Sequence, residues 1–178
     1  MTYDRTALRA PQINESGVQR AMLSVGHAVW QFQTLEQSLI AYLVLLYDLP
    51  GPSTRAVVEA ALAKRRALTF GQLLKIDAIR SGLPSELVDA LDDLRNRRNW
   101  LIHSSREDAH VALYTDPGAE TVVRHIETIS DAASDATKRV AEALEAAMAA
   151  RGVAINPEKI SEIQESWERG MRHPDEVP

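Results

Sequence analysis

"GVQRAMLSVGHAVWQFQTLEQSLIAYLVLLY", residues 17–47, decides the fold. Val25, Val29, Phe32, Glu36, Leu39, Leu43 and Leu46 recur at alternating intervals of four and three. That spacing is the core stripe of a helix in a bundle. "DLPGPS" (48–53) ends the helix. Its most apolar part, "LIAYLVLLY" (39–47), is too short to span a bilayer, so the reading is a buried segment and no membrane partner. One member of the stripe is out of place. Glu36 is the only acidic or basic residue between Arg20 and Asp48, and it falls inside the apolar arc.

Outward from this helix, Ser53 is expected to cap a second one, "TRAVVEAALAKRRA" (54–67). Thr69 caps a third, "FGQLLKIDAIRS" (70–81), which "GLP" terminates. Ser85 opens a fourth, "ELVDALDDLRNRRNWLIHS" (86–104), with acidic residues early and basic ones late, as the helix dipole favours. Beyond Ser105, "AHVALYTDPGAETVVRH" (109–125) alternates weakly around the turn signal Asp116-Pro117-Gly118, which suggests a short β-hairpin. A long Ala-rich helix (130–150) follows, stopped by Gly152, and Asn156-Pro157-Glu158 starts a last short one. The expectation is an all-α antiparallel bundle of four to six helices with a short hairpin after the fourth helix. It forms a single domain over 1–178, with a core at about 17–151 and a C-terminal extension at 152–178.

Composition narrows the chemistry. The chain has no cysteine, so disulfides, thiolate catalysis and Cys-based zinc or iron–sulfur sites are excluded. "MTYDRTALRAPQINESG" (1–17) has no apolar signal region, so a cytoplasmic location is expected. The net charge of −5 is unevenly spread. Residues 55–106 hold ten basic groups against six acidic, whereas residues 107–178 hold seven against fifteen. A local basic patch on an acidic protein can hold a phosphate backbone, although solvated helix faces read the same way. His27, His110, His125 and His173 show no paired ligand spacing, so no metal or other cofactor is expected. No nucleophile elbow for a Ser-His-Asp hydrolase appears.

The fourth helix supplies the cation that Glu36 needs. Leu87, Leu91, Leu94, Leu101 and Ile102 fall on one arc, with Arg98 at its centre and Arg95 just beside it. An unpaired buried charge is costly, so Glu36 and Arg98 are expected to face each other between the first and fourth helices. Such a pair either only fixes helix register or orients an arginine that also reaches a phosphate. Asp92, Asn99 and His103 form a polar strip on the same flank, while Arg97 and Trp100 project away. Trp100 is either packed under a loop or covered by a partner subunit, which makes it an interface candidate.

"RNWLIH" (98–103), closing an amphipathic helix in an all-α chain, resembles the Arg-x4-6-His motif of the HEPN superfamily. "LEQSLIAYLVLLY" and "LTFGQLLKI" also look like companion helices of bacterial HEPN-type proteins, so the resemblance covers about residues 17–105. It implies a HEPN-like bundle and a metal-independent endoribonuclease, a toxin of a toxin–antitoxin pair or a phage-defence effector. Such enzymes act as homodimers in which two motifs meet in a shared cleft and the RNA 2′-hydroxyl attacks. The resemblance makes His103 the general acid or base, Arg98 the group that stabilises phosphoryl charge, and Asn99 an orienting or phosphate-binding residue. Glu36 and Arg95 support them. The alternative it leaves is a noncatalytic HEPN-like protein that binds a nucleotide or a partner. A third reading is a helical interaction protein with a structural ion pair. No nucleotidyltransferase fingerprint occurs in the chain, so an antitoxin of that kind would be a separate protein.

Overall fold

The computed structural model describes residues 15–49, 51 and 53–152. The chain divides into two compact units, 1–143 and 144–178. In the second unit the described residues are the last turns of one helix and its end at Gly152. The segment 156–158 and the tail lie outside the described residues.

The first helix, α1, spans Glu15–Leu43 and runs on as a π-helical turn over Val44–Asp48. Leu49 N–H bonds the Val44 carbonyl at 3.1 Å, and Leu49 itself is extended. Leu49 precedes a proline, whose ring excludes the helical conformation from the residue before it. α2 covers Arg55–Arg66 and has no buried residue. It is tied down by charge: Arg65 donates to both oxygens of Asp48, at 2.8 and 2.6 Å. That fork holds the Asp48 carboxyl below its ordinary range. The N-terminal position falls to Thr54 rather than Ser53, whose hydroxyl donates to the Gly51 carbonyl.

The expected third helix is broken in two, α3 (Phe70–Leu73) and α4 (Asp77–Gly82), with Ile76 extended between them. Thr69 does cap α3, in a reciprocal box with Gln72. The break has a packing cause. On a straight helix, nine residues would set Ile79 about 180° from Phe70, yet both are buried. Arg80 Nη1 donates to the Leu74 carbonyl at 3.3 Å, which serves a group that the break leaves outside a helix. α5 runs over Ser85–His103, with Pro84 rather than Ser85 at the cap position.

The hairpin expectation is corrected, since no strand occurs among the described residues. α6 (Ser105–Ala109) and a 3-10 turn (Ala112–Tyr114) lead directly into α7, Asp116–Ala150. Asp116-Pro117-Gly118 is a helix start. Thr115 is extended and its Oγ1 accepts the Gly118 N–H at 3.2 Å, while Pro117 occupies the first turn, where a missing N–H costs nothing. Ala119, Val123 and Ile126 are buried at helical spacing, continued by Ile129, Ala133, Ala136 and Val140.

Three helices enclose the core. Glu36 lies opposite Arg98, and residues earlier in α1 share a groove with residues later in the chain than Arg98, so α1 and α5 run antiparallel. Arg20 pairs with Glu120 and His27 with Ser130, so α1 and α7 run parallel. Phe32 meets Phe70 edge to face with centroids 6.1 Å apart, which joins α1 to α3. Leu35, Leu39, Leu43, Leu87, Leu91 and Ile129 fill the interior.

Gly118→Ala tests the helix start. An added Cβ would press on the Ala112 carbonyl oxygen and come within 2.8 Å of Thr115 Oγ1. The expected outcome is destabilisation by about 1–3 kcal/mol in urea denaturation. This is against the gain of about 1 kcal/mol that Gly→Ala brings in an open helix.

Candidate functional site

The site is built on the last two turns of α5 and on the part of α1 that faces them. The α5 arc behaves as its spacing predicts over Leu87, Leu91, Leu94 and Leu101, all buried. Ile102 departs from it and is 46% exposed. Arg98, in the same arc, keeps 29% of its side chain accessible and Glu36 keeps 24%.

Arg98 Nε stands 3.4 Å from Glu36 Oε1. That is ion-pair range, but the alignment is not that of a hydrogen bond, and buried Nε has no hydrogen-bond partner among the described residues. The pairing is therefore mainly coulombic, and the guanidinium remains under-satisfied. Burial pushes the Glu36 carboxyl above its ordinary value, and the nearby Arg98 charge pulls the other way without cancelling it.

The other residues separate by face. Asn99 and His103 are both exposed and one turn apart, and neither makes a side-chain hydrogen bond to a described residue. Arg95 lies 3.5 Å from Asp92 Oδ1, while Arg80 reaches Asp92 Oδ2 at 3.2 Å, so Asp92 sits between two arginines. Arg97 pairs with Asp93 one turn earlier, at 2.7 Å. Five residues on a helix separate Arg98 from His103 by about 140°. One copy of the chain thus brings Arg98 to Glu36, but directs His103 and Asn99 to another side of α5.

Trp100 has partners within its own chain. Its Nε1 donates to Asp108 Oδ2 at 2.7 Å, and its ring meets His125 at 4.8 Å, edge to face. The indole thus fastens α6 and α7 to the end of α5. Asp108 and His125 carry no sequence signal for this role, because one lies just before the segment read as a hairpin and the other at its end.

An apolar groove of about 630 Å³ adjoins the site. Val18, Met22, Val25 and Val29 line it from α1, and Ile102 from α5, with Arg106 the only charged lining residue among the described residues. The groove explains why Val25 and Val29 are only half-buried although they belong to the sequence stripe. Elsewhere His27 links to Ser130 at 3.0 Å and to Gln31 at 3.2 Å, which makes it an interhelical tie. Among the described residues no three His, Asp or Glu side chains converge as a metal site. No helix among them is long and apolar enough to cross a membrane. No family model, curated protein or solved structure matches the chain.

The raised Glu36 pKa makes a signed prediction. A carboxyl whose folded value exceeds its unfolded one contributes stability that is present below the unfolded pKa and is lost as pH rises through the folded one. Glu36→Gln does not titrate. Relative to wild type, its unfolding free energy should therefore increase between about pH 4 and pH 7, read from urea curves at each pH. A difference that stays flat or falls would show that Arg98 outweighs burial.

Proposed function

We propose that the chain is a metal-independent endoribonuclease of HEPN type, acting as a homodimer in a toxin or phage-defence role. The observation that carries the reading is the under-satisfied Arg98 guanidinium, held against Glu36, on the same helix end as exposed, unbonded Asn99 and His103. An exposed imidazole can both accept and donate a proton, which suits proton transfer. A guanidinium with spare donors suits the charge that builds on phosphoryl oxygens.

In this mechanism the RNA 2′-oxygen attacks phosphorus while its proton passes to an imidazole. The bond from phosphorus to the 5′-oxygen breaks, and that oxygen takes a proton. The products are a 2′,3′-cyclic phosphate and a 5′-hydroxyl, so atoms and protons balance without an added cofactor. Asn99 orients His103 or binds phosphate, and Arg95 supports the local positive field. The angle of about 140° between Arg98 and His103 favours a site shared by two copies, with the arginine of one working beside the histidine of the other. An overall charge of −5 disfavours tight nonspecific RNA binding, so a selected or partner-delivered RNA fits better. An antitoxin would be a separate protein.

The same angle favours a second reading. If one copy acts alone, Arg98 and His103 do not converge on one phosphate, and the end of α5 then binds a nucleotide or a partner without turnover.

The test is cleavage of end-labelled RNA in EDTA by wild type, Arg98→Ala and His103→Ala, each shown to be folded. Wild type should leave a cyclic phosphate, and each variant should be slower by at least about 100-fold. Mixing the two variants should restore part of the activity if the site is shared, because a mixed dimer rebuilds one intact pair. Equal cleavage by all three proteins, or none by wild type on any RNA, would overturn the proposal. Nucleotide binding by an inactive wild type would establish the second reading.

A further inference from the structure

On the flank of α5 that carries Asn99 and His103, the preceding turns hold a charged cluster drawn from three elements. Asp92, Arg95, Asn99 and His103 fall within about 80° of one another around the helix. The Asp92 carboxylate lies between two guanidiniums, with Arg80 of α4 3.2 Å from Oδ2 and Arg95 3.5 Å from Oδ1. Two positive charges thus face one negative. Asp93 is taken up by Arg97, and Asp77 and Asp89 form no ion pair with a described residue. Arg80 and Arg95 keep 47% and 35% of their side chains accessible.

Both arginines are held from behind. Arg80 Nη1 also donates to the Leu74 carbonyl at 3.3 Å, so the break between α3 and α4 fixes its head. The stem of Arg95 crosses α3 at Gly71, where an added Cβ would lie 3.6 Å from its Cδ. Their outward donors remain. Arg80 Nε makes no hydrogen bond to a described residue, and neither does any guanidinium nitrogen of Arg95. Exposed ion pairs contribute little to stability, so a structural tie alone explains this convergence poorly. A guanidinium already fixed has lost the freedom that binding would cost, and its planar fork matches phosphate oxygens.

We propose that Arg80 and Arg95 bind a backbone phosphate of the RNA, a few nucleotides from the phosphate at His103, with Asp92 as the positioning residue that holds both. The choice of RNA rests on the ribonuclease reading, whereas the pairing of the two arginines does not. Arg95 and His103 are eight residues apart, about 12 Å along the axis. Charges follow one another every ~3.4 Å along one stacked strand. A strand that lies on this flank and reaches His103 therefore also passes Arg95. Arg80 approaches the same spot from α4, and only the fold shows it, because no helical period links it to α5. The cluster lies within residues 55–106, where basic groups outnumber acidic ones.

Binding of short 2′-O-methyl RNAs tests the site, since these have no 2′-hydroxyl to attack. Fluorescence anisotropy from low to high salt gives the affinity and its salt slope, to which each single-strand phosphate contact adds about 0.7. Arg80→Ala and Arg95→Ala, each shown to be folded, should weaken binding at least about fivefold at low salt and reduce the slope by about 0.7. Arg80→Lys keeps the charge and should recover most of the loss, which a purely structural fork would not allow. Arg97→Ala removes an arginine paired with Asp93 and should change neither quantity. Equal losses in Arg97→Ala would show a diffuse charge effect and overturn the site. Wild-type affinity and slope in Arg80→Ala and Arg95→Ala, or no binding by wild type, would overturn it too. A mononucleoside monophosphate bound as tightly as the strand would overturn the choice of ligand in favour of a single nucleotide. Cleavage separates the two proposals. If wild type cuts RNA while both variants bind normally, this site fails and the ribonuclease stands. If strand binding depends on both arginines but nothing is cut, the reverse holds.

Discussion

The seam between α1 and α5 has to accommodate one carboxylate and one guanidinium, and the arrangement around it follows from that constraint. Neither charge can leave the apolar arc without turning its helix and exposing leucines, because Leu39 and Leu43 share the arc of Glu36 and Leu91, Leu94 and Leu101 that of Arg98. Removing one partner from such a pair typically costs about 3–5 kcal/mol, whereas replacing both by apolar groups is often neutral. The pair is therefore weak evidence of stability and stronger evidence of register. It fixes which turn of α1 meets which turn of α5, and so where the exposed end of α5 emerges.

That register was legible in the sequence because a charge inside a 3.6-residue stripe is a local anomaly with one long-range solution. Glu36 was the only charge in its stripe, and Arg98 occupied the place of a leucine. The break between α3 and α4 was less visible. Phe70 and Ile79 both look like core residues, and only the angle between them shows that a straight helix cannot bury both. The start of α7 was misread for a different reason. Asp116-Pro117-Gly118 serves equally as a turn or as a first helical turn, and what decides is the period of Ala119, Val123 and Ile126 beyond it. Trp100 could not be resolved by pattern at all, since its partners Asp108 and His125 come from two later elements.

The N-terminal half of α1 inverts the usual distribution of side-chain size. Ala21 and Ala28 point inward and are buried, while Met22, Leu23 and Trp30 point outward. In the C-terminal half, Phe32, Leu35, Leu39 and Leu43 fill the core and the order is normal. A helix gains little by hiding alanines and showing a tryptophan to water, because burying an aromatic side chain contributes about 2–3 kcal/mol that exposure forfeits.

Seen this way, α1 does two jobs along its length. Its second half supplies the interior and, through Glu36, holds the Arg98 guanidinium. Its first half presents large uncharged side chains around a glycine and borders the groove under Ile102. The division matters for mechanism. Arg98 is set by its contact with Glu36, whereas the exposed side chains of His103 and Asn99 make no hydrogen bond to a described residue. On the reading proposed above, the fold orients the arginine through Glu36 and leaves the imidazole exposed, so a second molecule, substrate or subunit, would complete the site.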